Sequence, residues 1–184
     1  LSGGKKGTNA FLPKKAKTVV LSGSCSLMTN KQVNAYKAKA NHFYLDVAQA
    51  VNNHDYADEL YEKVIKHLDD EFAPMIYATV ASEELKVIQA EFGGNKASHA
   101  IEQTFAKLAG RLRREAGVVN FINAGGETSS IVVQELGCTG FHIGKQIAPG
   151  VPWLKALDDD IYLALKSGNF GTEDFFAYAQ GMFS

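Results

Sequence analysis

Short apolar runs rich in Val, Ile and Leu recur along the chain, and stretches with helical spacing separate them. The runs are Thr18–Leu21, Phe43–Leu45, Met75–Val80, Val118–Ile122, Gly140–Ile143 and Ile161–Leu165. Most are apolar at consecutive positions, not at alternate ones. A strand of that kind needs cover on both faces, and parallel sheets flanked by helices supply it. Helices are expected at Met28–Ala40, from Asp55 to Leu68, at Lys96–Ala116, at Ile131–Leu136 and at Phe175–Ala179. Thr29 and Gln32 have capping-box spacing at the start of the first. In the third, Ile101, Phe105, Leu108 and Leu112 recur at three- and four-residue steps. Strands alternating with helices predict an α/β fold of three layers, a mainly parallel sheet with helices on both faces.

Composition narrows the function classes. The chain has 184 residues, of which 46% are apolar or aromatic and 21% charged, enough for one domain with its own core. The longest apolar run is far short of a membrane span. Net charge is -1, with five lysines and no acid among residues 1–17 and an acidic balance beyond. A nucleic-acid partner would favour a basic body, so none is expected. The start, Leu1 followed by Gly- and Lys-rich sequence, reads as an interdomain linker over 1–17 ahead of a domain at 18–184. Cys25 and Cys138 stand far apart, without a disulfide framework or metal-ligand spacing. No targeting signal is visible, and a cytoplasmic protein is expected.

Three loops have unusual composition: Ser22–Thr29, Asn123–Ser130 and Lys166–Gly171. Each combines Gly with Ser or Thr after a strand and ahead of a helix. In open α/β sheets, ligands bind at the carboxyl ends of strands. Glycine lets backbone N–H groups come close to a ligand, hydroxyls add donors, and the following helix places its positive end at the same point. An anion, most often phosphate, suits such loops. Neither GxxxxGK[ST] nor GxGxxG is present, so neither a P-loop nor a Rossmann fingerprint supports the reading. The five histidines, His42, His54, His67, His99 and His142, have no ligand spacing. Asp158–Asp160 reads as a solvated turn and Trp153 as packing. Cys25 lies where a thiolate would be stabilised, which leaves a cysteine-dependent transferase as a further reading.

The loop sequences LSGSCSLMTN at 21–30, GGETS at 125–129, PGVPW at 149–153 and LALKSGNFG at 163–171 resemble the four-carbon acid sugar kinase family, in its 3-oxo-tetronate kinase branch. The likeness runs from about Thr18 to Phe176. It implies the nucleotide-binding C-terminal domain; the Asp-Asp-x-Thr-Gly motif of the family's N-terminal, sugar-acid-binding domain is absent from this sequence. It further implies transfer of the ATP γ-phosphoryl group to the 4-hydroxyl of a four-carbon sugar acid such as 3-oxo-tetronate. ATP and Mg²⁺ are the implied cofactors, with the sugar acid held mainly by the N-terminal domain. Self-association into a homodimer is left open, as are the metal ligands. By motif, Ser24, Ser26, Gly125, Gly126, Glu127, Thr128, Ser129, Gly168 and Gly171 would bind the nucleotide, and Lys166 would act catalytically by stabilising charge. The chain departs from the family pattern at Ser130, where a Gly is expected, and at Gln146 and Ala148, where acids are. The alternative is a non-catalytic module for another phosphorylated metabolite.

Overall fold

A computed structural model describes residues 10–184, so residues 1–9 of the expected linker lie outside the described residues. Among the described residues, seven strands form one sheet in the order β2-β3-β1-β4-β7-β6-β5. They are β1 (Thr18–Ser22), β2 (His42–Tyr44), β3 (Met75–Tyr77), β4 (Asn120–Ala124), β5 (Phe141–Ala148), β6 (Val151–Ala156) and β7 (Tyr162–Lys166). The first five in sheet order, β2 through β7, run parallel, and β6 runs antiparallel to both its neighbours. Among the described residues, seven α-helices accompany the sheet: α1 (Leu27–Lys37), α2 (Val47–Asn52), α3 (Tyr56–Val64), α4 (Ser82–Phe92), α5 (Gly94–Arg114), α6 (Gly126–Glu135) and α7 (Phe175–Gly181).

The central strands explain the continuous apolar runs. Every residue of β1 and of β4 is buried. Val19, Leu21 and Phe121 join Leu60, Phe105, Leu108 and Val132 in a core beneath α3, α5 and α6. Val20, Ile122 and Ala164 join Val33, Tyr36, Trp153 and Phe175 in a second core beneath α1 and α7. Helices therefore cover both faces, and the three-layer α/β architecture follows.

Three local expectations are corrected. β6 was not anticipated, because Pro152 argues against a strand that is paired on both sides. Pro152 sits opposite Gln146, where the β5–β6 register is irregular, so the ladder tolerates the missing N–H. Helix α1 starts one turn earlier than the Thr29–Gln32 spacing suggests. Its N-cap is Ser26, whose Oγ accepts from the Thr29 N–H at 3.2 Å. Thr29 and Gln32 are instead buried on the inner face of α1. Helices α2 and α4 were also unanticipated. Asp46 caps the six-residue α2, with Oδ1 accepting from Ala48 N–H at 2.8 Å. α4 has no buried residue at all, so it lacks the apolar stripe that sequence periodicity detects.

The described part of the expected linker lies along the domain. Lys145 N–H donates to the Phe11 carbonyl, and Asn120 Nδ2 donates to the Lys14 carbonyl, both at 3.0 Å. Among the described residues, no helix is long and apolar enough to cross a membrane.

Candidate functional site

Strands β1, β4 and β7 are neighbours, and Ser22, Ala124 and Lys166 stand side by side in register at their carboxyl ends. The three Gly/Ser loops therefore leave the sheet at one level. Backbone bonds tie them together. Gly23 and Ser24 N–H both donate to the Ala124 carbonyl, at 2.9 and 3.2 Å, and Gly125 N–H donates to the Lys166 carbonyl at 2.7 Å. Side chains close the remaining gap: Thr29 Oγ1 donates to the Gly168 carbonyl at 2.9 Å, and Met28 N–H donates to Asn169 Oδ1 at 3.2 Å.

Two glycines permit this closeness. A Cβ on Gly23 would stand 2.0 Å from Thr128 Oγ1. A Cβ on Gly125 would stand 3.0 Å from the Ser24 nitrogen, and Gly125 has φ +119°, a conformation L side chains rarely adopt. The result is one concave rim with the amino ends of α1 and α6 pointing into it. The first N–H groups of a helix have no intrahelical partner; at α1 those of Met28 and Thr29 are taken by Asn169 Oδ1 and Ser26 Oγ, so the start of α6 supplies the unused donors of the rim.

Beside the rim lies a cleft of about 540 Å³. Gly23, Ser24, Cys25 and Gly125–Thr128 form its polar side. Val47, Val80, Leu85, Ile88 and Ile101 form an apolar wall opposite. A second cleft of similar size involves Lys15, Lys17, Asp69 and Glu71 near the amino ends of the strands, but contains none of the Gly/Ser loops.

The predicted site residues divide into two groups. Ser24, Gly125, Gly126, Glu127 and Thr128 face the cleft together. Ser24 Oγ accepts from Ser26 N–H at 3.2 Å, which leaves its own proton for a ligand. Ser26, Ser129, Gly168, Gly171 and Lys166 are turned into the protein around it. Ser26 Oγ is spent on the N-cap and on Thr29 Oγ1, to which it donates at 2.8 Å. Ser129 is buried on α6, with no partner for its Oγ among the described residues. Gly168 packs beside Ser26, and Gly171 packs against Phe175 and Gln32. Gln32 Nε2 donates to the carbonyls of Phe170 and Thr172, which fixes the third loop on α1. Because Ser26 caps α1, Ser26→Ala should lower stability by about 1 kcal/mol, read as a shift in the urea midpoint.

Lys166 stands at a strand end, yet the residue is fully buried. Its Nζ donates to Thr29 Oγ1 at 3.0 Å and to the Gly168 carbonyl. Desolvation pushes its ammonium down to about 8. Cys25 is also inside the rim, but burial raises its thiol above the usual range. A protonated thiol is a poor nucleophile, which weighs against cysteine chemistry. Among the described residues, no group of three His, Cys, Asp or Glu could hold a metal ion.

The apolar wall escaped the sequence reading. Leu85 and Ile88 are three residues apart on α4, a weak signal without a buried stripe, and Ile101 read as ordinary core on α5.

Residues 19–176 match the family model described as the nucleotide-binding C-terminal domain. The 3-oxo-tetronate kinase of Actinobacillus succinogenes is 74% identical over the whole of this chain, which spans 44% of that relative's length. A crystal structure of a Haemophilus influenzae protein superposes with a TM-score of 0.94 at 72% identity, covering 98% of this chain and 44% of that one. A Bordetella bronchiseptica protein, described as a domain-swapped dimer with bound citrate, shares the fold at a TM-score of 0.72 and 19% identity; the match covers 91% of this chain and 41% of that one. The chain thus spans less than half the length of the relatives it matches. On the matched residues and the identity to its relatives, the chain belongs to the four-carbon acid sugar kinase family, 3-oxo-tetronate kinase branch, as its nucleotide-binding C-terminal domain.

Proposed function

We propose that this chain is the nucleotide-binding part of a kinase that transfers the ATP γ-phosphoryl group to the 4-hydroxyl of a four-carbon sugar acid such as 3-oxo-tetronate. The observation that carries this reading is the meeting of three strand-end loops on one rim beside a half-apolar cleft. The rim suits the phosphates, and the wall of Val80, Leu85, Ile88 and Ile101 suits the nucleoside. Transfer breaks the bond between the γ-phosphorus and its bridging oxygen and forms one to the sugar-acid oxygen, which releases its hydroxyl proton, leaving ADP. Charge spreads over the phosphoryl oxygens in that step, and preorganised N–H donors stabilise it without reorganising.

Mg²⁺ fits this donor set modestly. Magnesium keeps several waters and takes one or two carboxylates together with phosphate oxygens. Glu127 is exposed in the first turn of α6 and lines the cleft next to Thr128. It would hold the ion through water, and the ion would neutralise charge between the β- and γ-phosphates. The sugar acid would be bound mainly by a domain outside this chain, so the chain alone should phosphorylate nothing.

Calorimetry tests the reading. ATP with Mg²⁺ should bind the chain, and Ser24→Ala should weaken binding about tenfold, the loss of one hydrogen bond to a charged group. A preference for sugar phosphates over ATP would favour the non-catalytic module instead. A folded chain that takes up no ATP at millimolar concentration would end the proposal.

A further inference from the structure

Lys166 poses a problem of charge. Its side chain is wholly enclosed, and a buried ammonium needs a partner to offset its lost hydration. Thr29 Oγ1 and the Gly168 carbonyl, its two acceptors, are both neutral. Among the described residues, no carboxylate pairs with it. The charged groups on the elements around it are turned elsewhere. On α1, Lys31 is exposed and Lys37 lies over the Tyr77 ring. On α6, Glu127 is exposed to the cleft and Glu135 pairs with Arg114. Lys155 on β6 is half-buried. Glu173 and Asp174, ahead of α7, are exposed, and Asp174 accepts from Thr172 Oγ1.

The position of the ammonium indicates what would complete it. Lys166 ends β7 level with Ser22 and Ala124, at the base of the rim. Thr29 Oγ1 accepts from Lys166 Nζ and from Ser26 Oγ, and donates to Gly168, so one hydroxyl joins the lysine to two of the loops. Resting on the nucleotide reading above, we propose that Lys166 is a positioning residue whose missing counter-charge is the bound polyphosphate, so that nucleotide binding in alkaline solution takes up a proton at Lys166.

The chemistry supports the coupling. Desolvation brings the free ammonium to about 8, so a growing share is neutral above that pH. A polyanion seated on the rim favours the charged form and raises that value. The bound state then holds more protons than the free state, and binding weakens as pH rises. Other nearby groups do not imitate this between pH 8 and 9. Burial pushes the Cys25 thiol up and the Tyr44 hydroxyl up to about 12, and phosphate has its last ionisation near 6.

The test is calorimetry of this chain with ATP at pH 7, 8 and 9, in two buffers of different ionisation enthalpy. The wild type should bind with almost no proton uptake at pH 7 and take up most of one proton at pH 9. Its affinity should fall roughly three- to tenfold between pH 8 and 9. Lys166→Met should bind at least tenfold more weakly at pH 7 and show no change in affinity or proton count across the series. ATP binding by the wild type without proton uptake at pH 9, or an unchanged pH slope in Lys166→Met, overturns this proposal and leaves the nucleotide reading standing. Failure of the folded wild type to bind ATP at any of the three pH values overturns both.

Discussion

Gly125→Ala should cost about 1–3 kcal/mol of stability and weaken nucleotide binding on the order of 100-fold. Two independent obstacles meet at this position. The backbone conformation, φ +119° and ψ +137°, is one that an alanine adopts only under strain. The new methyl would also stand 3.0 Å from the Ser24 nitrogen, which is itself tied to the Ala124 carbonyl. Relief requires the first and second loops to part, and the rim opens as they do. Gly126→Ala is the matched control. A Cβ there meets nothing within 4 Å, and the residue already opens a helix, so stability should hold or rise slightly. Thermal melts on both variants check the contrast in stability, and calorimetry of Gly125→Ala with ATP checks the loss of binding. Gly125→Ala binding ATP within threefold of wild type would show that the two loops do not share the ligand.

Lys166→Met should make the chain more stable at pH 7, by roughly 1–3 kcal/mol. The sign follows from where the proton sits. The folded-state value, about 8, lies below the ordinary lysine value of 10.5. Below pH 8 both states carry the charge, and the folded state bears the full cost of burying it. Between 8 and 10.5 the unfolded chain holds more protons, so stability rises with pH and the cost disappears. The advantage of Met over Lys should therefore be greatest at pH 7 and shrink to well under 1 kcal/mol near pH 10.5. Methionine leaves the other bond in place, since Thr29 Oγ1 still donates to Gly168. Urea titrations of both proteins at the two pH values give the difference directly. A variant less stable than wild type at pH 7 would mean that the lysine's hydrogen bonds outweigh its desolvation.

These two residues also show how unevenly the sequence exposes its structure. β1, β4 and β7 were legible because central parallel strands are buried on both faces and so carry apolar residues at consecutive positions, a pattern that is local. The Gly/Ser loops were legible because their composition reports unusual backbone demands, which Gly125 bears out in its φ. β6 was hidden by Pro152, whose cost depends on the register of a partner strand. α2 is too short, and α4 too exposed, for hydrophobic periodicity to reveal either. The burial of Lys166 was not legible at all. Tyr162–Lys166 looks like a strand ending in solvent, and only the inner face of α1, far away in sequence, encloses it. The cleft's apolar wall likewise comes from the α2, β3–α4 and α5 regions, which share no motif with the loops.

Because none of its residues is buried, α4 is only lightly fastened to the domain, and it contributes Leu85 and Ile88 to the cleft wall. Elements with so little enclosed surface can detach at a fraction of the free energy of global unfolding. The two sides of the cleft then differ mechanically. The loop rim is riveted to three central strands, whereas the α4 part of the opposite flank is held by little buried surface, which on the proposed nucleotide reading would let it yield as the base enters and leaves.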